Sequence, residues 1–322
     1  MKLPHRRQFL HLAAGATALP AVSRTARAQA YPTRAITMVV PFPPGGNTDI
    51  MARALQNELS RALGQIVIVT NKGGAAGTLG ILDLIKAAPD GYTIALTPNN
   101  TLTAQPHLQR LAYSVDSFRY ICLTYYAPYV LIAGPQAPFK TFDEFVKFAK
   151  AKPGNLVYGH AGPASQPHLA MLSVLTAIGA DGLGVPFQGS GPMIQALLSG
   201  TVMAIAETPA TAGAGNLPVL AVLSDQRIAA LPHIRTMREF GYPAQAFTAG
   251  GLIAPAQTPS PVVATLERAC SLATASVEYR TILERLNVEA RYLAAQTFRQ
   301  LFEADSVASA EAIKRAGLAP NR

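Results

Sequence analysis

Short apolar runs alternate with longer runs of helical periodicity in this chain, and this alternation restricts its fold more than any other feature. Residues 35–40 and 66–70 are compact, β-branched-rich runs of the first kind. Between them, residues 48–63 repeat apolar side chains every three to four positions, which is typical of an amphipathic helix. Strands and helices joined by short connections build a parallel sheet covered by helices. The sequence therefore predicts an α/β fold.

The same alternation restarts in the second half of the chain. A strand-like run at residues 156–159 precedes a helix-like run at 169–178, and the tail from 261 to about 318 is helical by pattern. The tripeptide Val-Pro-Phe at residues 40–42, which precedes a loop and a helix, recurs at residues 185–187. A chain of 322 residues is long enough for two domains. We therefore expect two similar α/β halves.

The first thirty residues predict a cleaved export signal. Arg6 and Arg7 precede a weakly apolar run at 12–22, and residues 28–30 (Ala-Gln-Ala) have the small side chains of a cleavage site. Paired arginines followed by Phe-Leu at 9–10 resemble the twin-arginine type, with an ordinary secretory signal as the alternative. The sequence therefore predicts a periplasmic protein.

Removal of this segment changes the charge balance. It holds five basic residues and no acid, so the net charge falls from +9 to +4. The remaining Lys and Arg residues form no cluster, which argues against a nucleic-acid partner. No later run is long and apolar enough to span a membrane.

The loop Pro-Phe-Pro-Pro-Gly-Gly at residues 41–46 has the composition of an anion cradle. Ligands of open parallel sheets bind beyond the carboxyl ends of the strands. There the first N–H groups of a helix lack partners and carry partial positive charge. Gly45 and Gly46 would let the backbone approach a ligand closely. A tight strand-to-helix turn without a ligand is the alternative.

Four further side chains stand where a ligand or a structural role would explain them. Ser165 and His168 follow a strand and begin a helix, so both could face a ligand, although such a histidine is as often a structural hydrogen-bonding group. Asp49 has three readings: it complements the helix dipole, holds the loop or accepts an amine. Glu207 ends an apolar strand and stays ambiguous.

Motifs of enzymes, metal sites and nucleotide sites are missing from the sequence. There is no G-x-S-x-G elbow, no H-E-x-x-H pair and no close His/Cys/Asp cluster. The glycine-rich loop at residues 73–77 matches neither the dinucleotide nor the P-loop pattern. The sequence thus predicts a protein without a cofactor, a metal or a catalytic activity.

The two cysteines, Cys122 and Cys270, leave two states open. An oxidising compartment would permit a disulfide between them. Both lie in apolar runs, however, where buried free thiols are common. The sequence favours two buried thiols.

A series of motifs then occurs in order from the end of the signal to the last helices. The most specific are VVPFPPGG at 39–46, followed by Thr48-Asp49, and APDGYT at 88–93. Others are YP at 31–32, VPFQGSGP at 185–192, LAVL at 220–223 and LIAPA at 252–256. Together they resemble the tripartite tricarboxylate transporter receptor (Bug) family over nearly the whole mature chain.

The resemblance implies a periplasmic-binding-protein-like fold, with two α/β lobes and a ligand cleft between them. Residues 31–128 plus 251–322 would form lobe 1, and residues 129–250 would form lobe 2, with chain crossings near 129–133 and 249–253. The implied function is the capture of a small carboxylated solute by lobe closure, as a monomer. The implied partner is either the subunits of a membrane transporter or a sensor kinase.

The resemblance also implies the site residues. Lobe 1 would contribute Phe42, Pro43, Gly45, Gly46, Thr48 and Asp49, with Asn71 and Asn99 as rim contacts. Lobe 2 would contribute Ala161, Gly162, Ser165, His168, Gln188, Gly189, Ser190 and Glu207.

Departures from the family pattern gather on the lobe 2 face of this site. Gln188 stands where the family usually has a lysine, and Glu207 where it usually has an aspartate. The loss of a cation indicates a less charged or monocarboxylic solute. Two rival functions remain: an exported hydrolase or isomerase that uses His168 or Glu207, and a structural envelope protein that binds no small molecule.

Overall fold

The structure is a computed structural model that describes residues 31–151 and 154–319. The predicted export signal at residues 1–30 lies outside the described residues. The strands are, in chain order, β1 (Ile36–Val40), β2 (Val67–Asn71), β3 (Thr93–Pro98), β4 (Phe118–Pro128), β5 (Val130–Ala133), β6 (Val157–His160), β7 (Leu183–Pro186), β8 (Ala204–Glu207), β9 (Val219–Val222), β10 (Phe247–Pro255) and β11 (Glu289–Ala294).

The helices cover both sheets. In chain order they are α1 (Asn47–Leu63), α2 (Thr78–Lys86), α3 (Asn99–Thr103), α4 (Gln105–Leu108), α5 (Phe142–Ala151), α6 (Gln166–Ile178), α7 (Ser190–Leu198), α8 (Pro209–Gly215), α9 (Ser260–Ala275), α10 (Val277–Arg285) and α11 (Ala295–Arg315). In the described ranges, no helix combines the length and apolar character needed to cross a bilayer.

The strands form two mixed sheets. The first has the order β11-β4-β10-β3-β1-β2, and the second has the order β7-β6-β8-β5-β9. In the first sheet β1 pairs in parallel with β2 and β3, as the alternation predicts. In the second sheet β6 pairs in parallel with β7 and β8. The predicted α/β fold is confirmed.

The predicted parallel pairing holds for only part of each sheet. Strand β10 runs antiparallel to β3 and β4, and β5 runs antiparallel to β8 and β9. The reason is the path of the chain. It leaves the first sheet through β4 and returns through β10, so these two neighbouring strands point in opposite directions.

The passage between the sheets takes one residue on the way out. Strand β4 ends at Pro128 in the first sheet, Tyr129 follows, and β5 begins at Val130 in the second sheet. On the way back, Phe247 pairs with Pro128 at the start of β10. The residue limits of the two lobes stay a prediction.

The prediction of an uninterrupted helical tail from residue 261 to about 318 is also wrong. Residues 289–294 form strand β11, which pairs antiparallel with the outer edge of β4. This short segment, Glu-Ala-Arg-Tyr-Leu-Ala, carries no turn residue that would set it apart from the helices around it. Pairing with a strand more than 160 positions earlier in the chain decides its conformation, and local periodicity cannot show that.

The prediction that Cys122 and Cys270 are two buried free thiols is wrong as well. Cys122 on β4 and Cys270 on α9 form a disulfide, with their Cα atoms 6.6 Å apart. Both residues are fully buried, as their apolar surroundings predict. The bridge exists because α9 packs across β4, an arrangement that the sequence does not reveal.

Candidate ligand-binding cleft

Several helices begin beyond the carboxyl ends of strands without a side-chain cap, and three of them follow the loops that we expect to bind a ligand. Helix α1 follows β1 in the first sheet, and α6 and α7 follow β6 and β7 in the second. Their N-cap residues are Gly46, Ser165 and Gly189, and none of these side chains bonds to the helix start. First-turn N–H groups that lack a cap can bind an anion.

The carboxylate of Asp49 holds the first loop in place. It accepts hydrogen bonds from the Gly45 backbone N–H at 2.9 Å, from Arg53 Nε at 3.0 Å and from Asn71 Nδ2 at 2.9 Å. Asn71 Nδ2 also donates to the Phe42 carbonyl at 3.1 Å. Burial alone would raise the pKa of Asp49, but the three donors hold it below its ordinary value. Of the three readings of Asp49, the structure shows the one that holds the loop.

The rest of this loop faces outward. Pro43, Gly45 and Gly46 are exposed, and Phe42 is half-buried. Gly45 has a φ of 82°, a left-handed conformation that favours glycine. A Cβ atom on Gly77 would lie 3.1 Å from the Phe42 ring, so the glycine-rich loop at 73–77 fits closely against the cradle.

Two stacked histidines support the loop at residues 161–165. The ring centroids of His160 and His168 are 3.8 Å apart, and the rings are nearly parallel. His168 Nδ1 accepts a hydrogen bond from the Ala164 N–H at 3.0 Å, and His160 Nδ1 donates to the Gly162 carbonyl at 2.8 Å. Burial, together with neighbouring His160, lowers the pKa of His168 to about 4. His168 is therefore a neutral structural group.

The hydroxyl of Ser165 lies at the start of α6 with no hydrogen-bond partner. Its Oγ atom is buried and contacts no donor or acceptor among the described residues. The Nε2 atom of neighbouring Gln166 is likewise buried without a hydrogen-bond partner among the described residues. A buried hydroxyl without a partner is rare in folded proteins, since it costs about 1–3 kcal/mol. Ser165 is thus suited to accept a partner from outside the chain.

Glu207, the last residue of β8, and Ser190, the first residue of α7, form a hydrogen-bonded pair. Glu207 is 6% exposed; its Oε2 accepts from Ser190 Oγ at 2.8 Å and its Oε1 from the Thr208 N–H at 2.9 Å. Burial raises the pKa of Glu207 despite these two donors. Gln188 and Ser190 are exposed beside it, and Gly189 has a φ of 100°.

Two tyrosines that the sequence analysis missed connect the two sheets. Burial raises the pKa of Tyr129 well above its ordinary value, and the nearby Glu207 carboxylate and Tyr125 phenol raise it further. Burial raises the pKa of Tyr125 as well, and the Thr48 side chain opposes that shift. Both tyrosines lie in apolar runs, and nothing in the sequence marks them.

Asn100 was also missed, although a signal existed. Its Nδ2 donates to the Ala164 carbonyl at 3.3 Å, which joins the first sheet to the loop before α6. It is the second residue after the carboxyl end of β3. The rule that ligands gather at strand ends would have selected it.

Asn99 does not lie at the rim. It is fully buried, and its Nδ2 donates to Asp305 Oδ2 on α11 at 2.9 Å. Its Oδ1 accepts from the Ala249 N–H at 3.2 Å, on the returning strand β10. Asn71 bonds to the Phe42 carbonyl and to Asp49 in the first loop. Asn71, Asn99, Asp49 and His168 thus hold other parts of the chain in place through internal hydrogen bonds. That the remaining candidates meet in one cleft stays a prediction.

Within the described ranges, no three His, Cys, Asp or Glu side chains come together as metal ligands.

Comparison with known proteins decides the family. The model of the "Tripartite tricarboxylate transporter family receptor" matches residues 51–318, which is most of the chain. The chain belongs to this receptor family. The resemblance predicted from its motifs is confirmed.

Relatives of this receptor match it along nearly their whole length. The UPF0065 protein in the gbd 5′ region of Cupriavidus necator is 35% identical over 98% of both chains. A TctC solute-binding protein from Polaromonas, solved without ligand, is 31% identical with a TM-score of 0.81, over 88% of this chain and 99% of that one. MatC from Rhodopseudomonas palustris, solved with bound malate, is 33% identical with a TM-score of 0.72, over 88% and 100%.

Proposed function

We propose that this receptor captures a small carboxylated solute in the periplasm by closing two lobes over it, and delivers the solute to a tripartite tricarboxylate-type transporter. The observation that carries the proposal is the set of uncapped helix N-termini at α1, α6 and α7, which lie beyond strand ends of both sheets. Such ends bind carboxylates without the help of a basic side chain.

Side-chain chemistry around these ends supports a carboxylate. The unpartnered Ser165 hydroxyl and the exposed Ser190 and Gln188 offer neutral donors. The nearest basic group of the first loop, Arg53, is already paired with Asp49 at 3.0 Å. Malate in the MatC neighbour is a small carboxylate of this kind. We expect a solute with one or two carboxyl groups.

Contacts between the proposed lobes support closure. Ala164 and Leu169 of lobe 2 pack in one apolar cluster with Ala104 and Ile313 of lobe 1. The Asn100–Ala164 hydrogen bond lies beside this cluster. Ligand-driven closure requires that the closed form bind the solute more tightly than the open form. Contacts made by both lobes to one solute supply that difference.

The pKa of His168 and the hydrogen bonds of Glu207, the two candidate catalytic groups, agree with a receptor that catalyses no reaction. A base with a pKa of about 4, such as His168, is weak at neutral pH. Hydrogen bonds from Ser190 and from the Thr208 N–H fix the position of the Glu207 carboxylate. We therefore expect that no tested carboxylate is chemically changed on incubation with the protein, which product analysis checks; turnover abolished by His168→Ala would contradict this expectation.

Thermal stabilisation by a carboxylate panel tests the proposal. A ligand at 100 times its Kd adds about 2.7 kcal/mol of stability, which raises Tm by several degrees. We expect a response to malate or another small mono- or dicarboxylate. A panel of mono-, di- and tricarboxylates with no response, on a folded protein shown to be ligand-free, would contradict the proposal.

Ser165→Ala is the first variant to measure. It removes the unpartnered hydroxyl, so we expect weaker binding by about 1 kcal/mol, roughly fivefold in Kd, with unchanged or higher stability. Ser173→Ala on the same helix is the matched control, because Ser173 bonds to the Gln245 carbonyl and lies two turns away. Equal affinities of the two variants would exclude Ser165 from the site.

A further inference from the structure

Glu207 places a carboxyl group beside the proposed anion site. It ends strand β8 and touches Ser190, the first residue of α7, through the 2.8 Å hydrogen bond. The residue is 6% exposed, and it forms no ion pair with any described Lys, Arg or His side chain. A solute carboxylate held at the α7 N-terminus would therefore lie close to a second carboxyl group.

Two ionised carboxylates in such a place are unfavourable. Like charges in a poorly solvated site raise one pKa strongly, and the pair then shares a proton. Gln188, an exposed residue two positions before Ser190, is neutral. The described part of the cleft thus supplies Glu207 with hydrogen-bond donors but with no compensating positive side chain.

We propose that Glu207 binds a proton together with the solute and donates a hydrogen bond from its carboxylic acid to the solute carboxylate. Each oxygen of Glu207 accepts one internal hydrogen bond, from Ser190 or from Thr208. A carboxyl oxygen has two lone pairs, so each oxygen keeps one that can bind a proton. The proton comes from solution, and no covalent bond other than the O–H bond forms. The inference rests on the proposed function, since it assigns the regulation of that same site.

None of the titratable side chains that face Glu207 is expected to change its charge when the solute binds. The titratable side chains on elements packed against β8 are Tyr129 before β5, Tyr158 and His160 on β6, and His168 on α6. Burial raises the pKa of both tyrosines, and it lowers the pKa of both histidines. Of these, Tyr129 responds directly to the Glu207 charge, and its phenol stays neutral. Burial raises the pKa of Glu207 itself.

The proposal fixes the direction in which the Kd for the solute changes with pH. The complex holds one more proton than the free protein and the free solute together, so binding weakens as pH rises. Above the pKa of free Glu207, Kd should increase about tenfold per pH unit. Below that pKa, Kd should be constant.

Calorimetric titration with malate between pH 5.5 and 8 tests the inference. Repetition in buffers with different ionisation enthalpies counts the protons taken up per solute. We expect uptake to approach one proton in the wild-type protein. Glu207→Gln keeps the size and a donor toward the cleft, so we expect this variant to bind malate with no uptake and a flat pH profile. Should malate give no heat, the carboxylate with the largest thermal response replaces it.

Glu58→Gln is the matched control. Glu58 is another buried glutamate, 8% exposed, but it lies on α1 and pairs with Arg61 at 2.9 Å. This variant should keep the wild-type proton uptake. Circular dichroism and Tm establish that both variants are folded.

The outcomes separate the inference from the proposed function. Binding without proton uptake, or uptake that persists in Glu207→Gln, overturns the role of Glu207 and leaves the receptor function intact. Absence of binding by every carboxylate across this pH range overturns the receptor function, and the inference falls with it.

Discussion

A single carboxylate, Asp49, determines the shape of the first loop. It is 3% exposed and joins the loop, helix α1 and strand β2 through Gly45, Arg53 and Asn71. The sequence predicted that this loop approaches a ligand, but it left the role of Asp49 open. That role depends on Asn71, a residue 22 positions away whose amide direction no local pattern reveals.

We expect Asp49→Ala to lower the free energy of unfolding by about 2–3 kcal/mol, because three donors lose their acceptor. Urea unfolding measures this change. Asp83→Ala is the control, since Asp83 pairs with Lys72 at the exposed surface near the same loop, and exposed pairs contribute about 0–1 kcal/mol. A loss for Asp49→Ala no larger than that of the control would contradict the account.

The Asp49 carboxylate also gives a pH dependence with a defined sign. Its pKa is lower in the folded protein than its ordinary value. Its stabilisation is therefore complete above about pH 4, the range of an unfolded aspartate, and is lost as pH falls through the lower folded pKa. Unfolding measured between pH 2 and 6 should show that Asp49→Asn reduces the stability difference between pH 5 and pH 2.5. An unchanged difference would contradict this.

At the scale of elements, strand β10 fixes how closely the first sheet can pack. A Cβ atom on Gly251 would collide with the Cys122 carbonyl oxygen, and one on Gly250 would collide with the Tyr125 hydroxyl. Both contacts involve β4, the neighbouring strand of the first sheet. The glycines are therefore required by close approach.

Gly251→Ala should destabilise the protein by about 3 kcal/mol or more, because backbone atoms of β4 cannot move aside as a side chain can. Gly213→Ala on α8 is the control: nothing lies within 4 Å of its Cβ position, so the change should be neutral or slightly stabilising. Denaturant unfolding of both variants provides the comparison. Similar stabilities would show that β10 tolerates a side chain at this point.

The disulfide links two elements that bound the first core. Strand β4 carries Cys122 and helix α9 carries Cys270, 148 positions later. Replacement of both cysteines by alanine should lower the free energy of unfolding by about 2–4 kcal/mol, since the bridge restricts the unfolded chain. Alkylation of the unfolded, unreduced protein followed by mass measurement checks the bond itself. Two alkylated cysteines in that sample would contradict it.

At the scale of the whole molecule, the sequence predicts features that depend on neighbouring residues. It does not predict features that depend on residues far apart in the chain. Alternating periodicities predicted strands β1, β2 and β6 and helices α1 and α6, because those signals are local. The antiparallel course of β10 and the strand at residues 289–294 depend on pairing with the distant β4. The same holds for Asn99, whose partner Asp305 lies 206 positions away. Loops at strand ends were predictable, whereas their internal supports were not.

A crystal structure of the protein with the carboxylate that stabilises it most tests the central claim most directly. The account predicts that the solute lies between the two sheets. Its carboxylate oxygens should be within hydrogen-bonding distance of first-turn N–H groups of α1, α6 or α7, and the Ser165 hydroxyl should bond to it directly or through one water. A solute bound elsewhere, or held chiefly by lysine or arginine side chains, would contradict the claim.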